Sequence, residues 1–390
     1  MIYLDHAATT PLRREAREAM LPFLDGRFGN PSGLYEVGRD AQQAVDEARR
    51  AVAGRLGARP AEVIFTSGGT ESINAALLGI AYAMRRAGAG DHVITTAIEH
   101  HAGLHTAQAL EELGFDVTYL GCDGHGRVDP AEFEAALRQE TVLASVMLAN
   151  NEVGTIQPVR EIGEAIARYA AKQGHRVLLH SDAVQAPGWV GLDVNELGVD
   201  ALSLSGHKFG GPKGTGVLFL RRGTPFRPLI QGGGQEMQTR AGTENVAGIV
   251  GTAAALRVAS SGILERADRV RRLREQLREG VQARIPGAQV NGCRVNCLPN
   301  NLNVSFEGVE SDVLVAALDR QGIAASSGSA CSNSTWEPSH VLMAMGVPIR
   351  RAVGSVRFSL GEGTTAEEIE RVLEVLPAEV ARATTTGTAV

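Results

Sequence analysis

From residue 63 to residue 220 the chain alternates short apolar runs with longer amphipathic stretches, and this alternation limits the fold more than any other feature. Runs at 63–66, 92–97, 117–120, 142–148, 177–180, 199–204 and 216–220 have strand length and strand composition. Helical periodicity fills 73–86, 103–113, 130–138 and 159–171 between them. Such alternation predicts an α/β fold with an open, mostly parallel sheet between helices. In such sheets ligands lie beyond the carboxyl ends of the strands. Polar residues gather there: Thr70 and Glu71 after one strand, His100 and His101 after another, then Asn150-Asn151-Glu152, Asp182 to Gln185, and Ser205 to Lys208.

The last of these carries the scarcest chemistry. Of 38 basic residues only Lys172, Lys208 and Lys213 are lysines, and two of them fall in one glycine-rich turn between strands. Arginine replaces lysine as a surface charge but not as a nucleophilic amine, because it stays protonated. The turn is either a solvated loop or a site of amine chemistry, most often a Schiff base. Upstream, Ser67-Gly68-Gly69-Thr70-Glu71-Ser72 joins a strand to a helix. Free backbone N–H groups and a helix N-terminus meet there, which suits a phosphate. No Gly-Lys-Ser/Thr follows, so it is no Walker loop. A phosphate cradle, a Schiff-base lysine and an aspartate at a strand end form the kit for pyridoxal 5′-phosphate (PLP). A Schiff-base aldolase or a nucleotide enzyme fits the same triad, but neither accounts for Cys331 in its Ser/Gly-rich setting.

The rest of the chain narrows the class. Its net charge is −6, which argues against a nucleic-acid surface. No run of about 18 apolar residues points to a membrane, and the N-terminus lacks the pattern of a secretory signal. The four cysteines are scattered, so a reducing cytoplasm is the expected setting. Cys293 and Cys297 have no second Cys/His pair near them to complete a metal site, and none is expected. A helix is expected from Pro11 to about residue 21, and a second over 34–56 with Ser32 as its N-cap. The division expected is a large domain over 15–260 and a small α+β domain over 1–14 and 261–390. The small domain has strands at 302–306 and 356–360 and helices at 312–321, 337–345 and 366–381. Gly232-Gly233-Gly234 offers little mass to pack on its own. His101 and His105 read as helix-packing histidines, and Lys213 as a loop charge.

Taken together, these segments resemble the cysteine desulfurases of the NifS/IscS type, in the class V aminotransferase branch of fold type I PLP enzymes. The stretches that carry the likeness are Tyr3 to Thr10, Gly29-Asn30-Pro31-Ser32, Thr66 to Ser72, Glu99-His100, Asn150 to Gly154, Asp182 to Gln185, Ser205 to Lys208, Arg240-Ala241-Gly242-Thr243, Ser326 to Cys331 with Glu337 to His340, and Val356 to Leu360. They run the length of the chain in the family's order. The Cys331 segment resembles the longer catalytic loop of the group I enzymes, expected to be a moving arm.

The resemblance implies a role for each position. Lys208 holds the cofactor aldehyde, and His100 stacks on its ring. Asp182 and Gln185 contact the ring nitrogen and oxygen. Gly69, Thr70, Ser205 and His207 cradle the phosphate, with Thr243 lent by the other subunit of a homodimer. Asn151 and Arg357 position the ring and the substrate carboxylate, with Asn30 also on the substrate side. Cys331 bears the persulfide. The expected activity converts L-cysteine to L-alanine and passes sulfur to an iron–sulfur scaffold or thiolation protein. A selenocysteine lyase is the neighbouring alternative, and a PLP-binding assembly subunit the non-enzymatic one. The chain departs from the family at Tyr35, where histidine is usual, at Gly69, where alanine is common, in a longer span over 171–176, and at the tip of the cysteine loop.

Overall fold

The computed structural model describes residues 1–327 and 338–386. Cys331 and the start of the helix expected over 337–345 therefore lie outside the described residues. Strands are numbered in chain order. The large sheet contains β2 (Val63–Thr66), β3 (His92–Thr96), β4 (Asp116–Leu120), β5 (Thr141–Ser145), β6 (Leu178–Asp182), β7 (Ala201–Ser205) and β8 (Gly216–Leu220); β1 (Ile2–Tyr3) lies elsewhere. Its order is β2-β8-β7-β6-β5-β3-β4. The strands from β7 to β4 pair in parallel, and β8 runs antiparallel to both β7 and β2. A parallel neighbour needs a crossover of a dozen or more residues, and the Gly206–Thr215 turn is too short for one, so β8 returns antiparallel. The inner parallel strands β3, β5, β6 and β7 are buried along their whole length, whereas the edge strand β4 is mostly not.

A second sheet, ordered β12-β13-β10-β9, is built from β9 (Gln289–Asn291), β10 (Asn301–Ser305), β12 (Ser326–Ser327) and β13 (Ser355–Ser359); β11 (Ile323–Ala324) pairs instead with β1. Buried apolar side chains on this side form one cluster that takes in Leu4, Val270, Leu277, Leu302, Phe306, Phe358 and Leu376. Two further clusters lie against the large sheet, one of them around Ile73, Leu77, Ile80 and Leu218. The chain thus begins in the second unit, through the parallel pairing of Ile2 with Ile323. It then crosses to the large sheet, where Thr10 Oγ1 donates to the His207 carbonyl at 2.8 Å. Among the described residues no single helix is long and apolar enough to cross a membrane.

Several expected boundaries are corrected. The first helix is Arg14–Leu24, not one beginning at Pro11. Residues 10–13 are instead tied to the lysine turn: Thr10 Oγ1 accepts from the Gly210 N–H and the Arg13 N–H donates to the Gly210 carbonyl. Ser32 caps nothing. The Asn30 side chain accepts the Ser32 N–H, the Gly33 N–H returns to the Asn30 carbonyl, and the helix begins only at Glu36, after Tyr35. The third helix, Gly69–Arg86, starts inside the glycine turn rather than at Ile73. The last part of the 337–345 helix is His340–Ala344, capped by Ser339, whose hydroxyl accepts from Leu342 N–H. The glycine run at 232–234 is anchored just downstream. There Glu236 is buried and paired with Arg49 at 2.7 Å, and it also accepts the Phe65 N–H. Glu236, Met237 and Gln238 all have positive φ, a conformation that costs energy outside glycine and persists where such contacts over-determine it.

Candidate active site

One cavity of about 330 Å³ opens at the carboxyl ends of β6 and β7. Its lining includes Gly69, Thr70, His100, Asn151, Asp182, Gln185, Ser205, His207, Lys208 and Arg357. Six loops and strand ends that are far apart in sequence therefore present the expected side chains to one volume. Thr243 and Asn30 are not among its lining residues; both are exposed, and the Asn30 side chain is engaged by its own turn. Cys331 is not described.

Lys208 follows β7 on a single 3₁₀ turn, Gly206–Lys208. Its Nζ donates to the carbonyls of Ala7 and Ala8 at 2.7 and 2.8 Å. The N-terminal segment thus forms a wall of the site. Gln185 Nε2 also donates to the Ala7 carbonyl, at 3.0 Å, and His207 Nδ1 lies 3.0 Å from Thr9 Oγ1. Lys213, in contrast, is exposed in the loop.

Asp182 ends β6 and is buried. Its Oδ1 accepts the Val184 N–H at 2.9 Å. Burial pushes its carboxyl up to about 6, against the pull of that hydrogen bond and the Lys208 charge. His180, two residues earlier on the strand, supplies no counter-charge. It is fully buried between Ser145 Oγ and Ser203 Oγ, each 2.9 Å from a ring nitrogen, and burial lowers it to about 3. Asp182 is therefore a desolvated carboxylate that a cationic ring N–H would neutralise.

His100 is the N-cap of the helix His101–Glu112, with Nδ1 accepting the Ala102 N–H at 3.1 Å. That bond fixes the neutral tautomer with hydrogen on Nε2. Burial, and then the Lys208 charge, lowers His100 to about 4. A neutral ring stacks on a cationic heterocycle without repelling it. His101, expected only to pack, also lines the cavity, in ring contact with His340 at 4.7 Å and His105 at 5.1 Å.

One end of the cavity, expected to take a phosphate, has a wall shared with a second cavity. Gly69, Thr70, Ser205 and His207 line both the main cavity and a shallower one that includes Ser67, Lys213 and Gly214. The helix Gly69–Arg86 points its unpaired N–H groups here. A Cβ at Gly69 would lie 2.8 Å from Val184 Cγ2 and 3.3 Å from Ser205 Cβ, so the departure from the common alanine admits a tighter approach of the helix to β7. Burial first, and then the charges of Lys208 and Lys213, lowers His207 to about 4. It therefore serves as a neutral hydrogen-bonding group.

On the opposite wall, Arg357 projects from β13 and is buried. Nη2 donates to Asp5 Oδ1 at 2.8 Å and Nη1 to the Asn151 carbonyl at 2.9 Å, and Nε is buried without a hydrogen-bond partner. Sequence reasoning assigned no role to Asp5, Ala7, Ala8, Thr9 or Glu152. The segment Tyr3 to Thr10 stands out in the sequence only as a stretch. What could not be read was that the N-terminus crosses between the two units and meets Lys208 from the far end of the chain. Among the described residues no three His, Cys, Asp or Glu side chains converge as a metal site.

The description Aminotransferase class-V matches residues 2–372. A cysteine desulfurase IscS of Dictyoglomus turgidum is 49% identical over 375 residues, covering 96% of this chain and 93% of the relative. Among solved structures, a NifS-like protein superposes with a TM-score of 0.91 at 38% identity, covering 98% of this chain and 99% of that one. A structure of SspA in complex with cysteine gives 0.80 at 34% identity, covering 94% of this chain and all (100%) of the other. Enzymes of this family use PLP, and the residues present fit it: a buried carboxylate whose pKa burial raises despite the Lys208 charge, an amine held by two carbonyls, a neutral imidazole, and a helix N-terminus that a Cβ at Gly69 would crowd. With the match spanning nearly its whole length, the chain belongs to the aminotransferase class-V family.

Proposed function

We propose that this protein is a PLP-dependent cysteine desulfurase: it converts L-cysteine to L-alanine and leaves the sulfur as a persulfide on Cys331. The observation that carries the reading is the convergence of Lys208, Asp182, His100 and Arg357 on one cavity, next to an anion-binding helix N-terminus. When bound, PLP supplies an electron sink for the carbanion formed at the substrate Cα. Gly69, Thr70, Ser205 and His207 would hold its phosphate, Asp182 and Gln185 its ring nitrogen and oxygen, His100 and Asn151 the ring, and Lys208 its aldehyde. Arg357 pairs with the substrate carboxylate, and Asn30 belongs to the substrate side of the pocket. Freed from the aldehyde, the Lys208 amine takes the Cα proton and returns it on the same face. The Cys331 thiolate attacks the substrate sulfur. One S–S bond forms, the C–S bond breaks, and the electron pair left on Cβ takes up a proton to become the methyl of alanine. Sulfur is oxidised to the sulfane level as that carbon is reduced, so no external oxidant enters.

The test is a mass measurement. After the holoenzyme is mixed with L-cysteine, the peptide containing Cys331 should gain the mass of one sulfur atom, and Cys331→Ser should gain none anywhere. Addition of the extra sulfur to Cys122, Cys293 or Cys297 instead would refute the assignment. The persulfide is then passed to an acceptor protein, for which an iron–sulfur scaffold or a thiolation protein has the required chemistry.

The working unit on this reading is a homodimer, with Thr243 reaching the phosphate end of the neighbouring copy. Its support is a run of exposed apolar side chains around the first helix: Leu21, Leu24, Phe28, Leu34 and Tyr35 are each at least half exposed, more than a lone monomer commonly leaves together. Light scattering of the active enzyme should give the mass of two 41.1 kDa chains. An active species with the mass of one chain would remove Thr243 from the site.

A further inference from the structure

Glu152 has no role in the chemistry above, yet it lines the same cavity as Arg357 and is buried, at 5% exposure. Its backbone is fixed from both sides. The Glu152 N–H donates to Asn150 Oδ1 at 2.9 Å, and its carbonyl accepts from Asn303 Nδ2 at 3.3 Å. The side chain has nowhere to swing out to solvent. Its Oε2 accepts a short hydrogen bond from Ser339 Oγ, and Ser339 is itself buried and committed as a helix cap.

A charge count follows. Arg357 is the arginine lining this cavity, and it already pairs with Asp5. The substrate brings a second carboxylate to the same guanidinium. Glu152 would be a third. The other groups facing this space do not offset it. Lys208 stands on the amine side, against Ala7 and Ala8. Burial keeps His100, His101 and His340 toward the neutral form. Asp182 and Glu99 add only negative or neutral character, and Asn301 and Asn303 are uncharged. Three carboxylates around one arginine in a desolvated pocket is unfavourable unless one carries a proton.

We propose that Glu152 is that proton carrier: neutral, it leaves Arg357 to the substrate carboxylate, and ionised, it repels it, so that Glu152 sets the pH range over which substrate binds. It acts through Arg357 and is a positioning residue. The inference rests on the carboxylate-binding role given to Arg357 above. The direction of its titration agrees with the geometry, since burial raises the carboxyl to about 7, above the opposing effects of Ser339 and Arg357.

The experiment is calorimetric titration of the holoenzyme with butyrate, a carboxylate with no amine and no thiol to react. For the unmodified protein, affinity should fall by about tenfold per pH unit above the Glu152 midpoint, with about one proton taken up per butyrate bound. Glu152→Gln, a neutral isostere, should bind with nearly pH-independent affinity over the same range and take up none. Ser339→Ala removes the donor to the carboxylate, together with the cap on the Leu342 N–H, and should move the midpoint to higher pH. Retention of the original pH dependence in Glu152→Gln, or an unmoved midpoint in Ser339→Ala, overturns the proposal. Arg357→Gln separates the two readings. If it loses butyrate while Glu152→Gln keeps the original pH profile, only the Glu152 inference fails. If Arg357→Gln binds butyrate normally, the carboxylate site itself has been misassigned and both readings fall.

Discussion

Replacing Lys208 with alanine is expected to lower the rate of alanine formation from L-cysteine by about 10⁴-fold or more, the upper range for loss of a positioned proton-transfer group. The two carbonyls that hold Nζ, from Ala7 and Ala8, accept hydrogen bonds and carry no exchangeable proton of their own. No neighbour can take over. His100 already uses Nδ1 to accept the Ala102 N–H, and burial, the largest effect on it and one that the substitution leaves in place, keeps it a weak base. Lys213 is exposed in the loop beyond the phosphate end, and Lys172 is exposed near the end of the helix Val159–Gln173. Lys208→Arg separates charge from basicity. Arginine keeps the cation beside Asp182 but cannot give up its proton, so its rate should fall nearly as far. Alanine and sulfide release, measured with cofactor content matched between variants, checks both. A Lys208→Ala enzyme within a hundredfold of the unmodified rate would show that another base moves the Cα proton.

How far the site could be read from sequence varies by residue, and the reason is separation along the chain. Lys208, Asp182, Gly69 and Thr70 each stand at a strand end of the alternating region, so the α/β rule alone places them on one edge. Arg357 was found only through resemblance. It lies in the middle of β13, in the second sheet, and nothing in its local pattern says that this sheet faces the first. Asp5 and Glu152 are harder still. A short N-terminal strand pairing with Ile323, and a carboxylate buried because Ser339 closes over it, are products of tertiary contact alone. The misplaced helix starts have the same cause. Pro11 and Ser32 carry proper start signals, but the Arg13 N–H donates to the Gly210 carbonyl and the Ser32 N–H to the Asn30 side chain, which claims the backbone first.

Asp182→Asn is expected to divide function from stability. On the proposed reading the Asp182 carboxylate keeps the cofactor's ring nitrogen protonated, and an amide of the same shape cannot, so the rate of alanine formation should drop by roughly 10³-fold or more, comparable with removal of a principal electrostatic group. The cofactor-free protein should respond the other way. In the fold Asp182 titrates near 6, raised by burial from an ordinary 3.8. A raised carboxyl favours the folded state fully below its unfolded pKa, and this advantage is lost as pH rises through the folded value. Above pH 6 the apoprotein therefore carries a buried charge that costs up to about 3 kcal/mol, at 1.36 kcal/mol per pH unit. Asparagine keeps an Oδ1 acceptor for the Val184 N–H and bears no charge. Apo Asp182→Asn should thus melt several degrees above the apo parent at pH 8, and the gap should close toward pH 4, where the parent's Asp182 is itself protonated. Thermal melts across that range, beside rate measurements on the holoenzyme, test both halves. An active Asp182→Asn enzyme would remove Asp182 from the ring nitrogen, whereas an apo variant less stable than its parent at pH 8 would mean that Lys208 already neutralises the carboxylate, and that the cofactor enters a site with no charge left to satisfy.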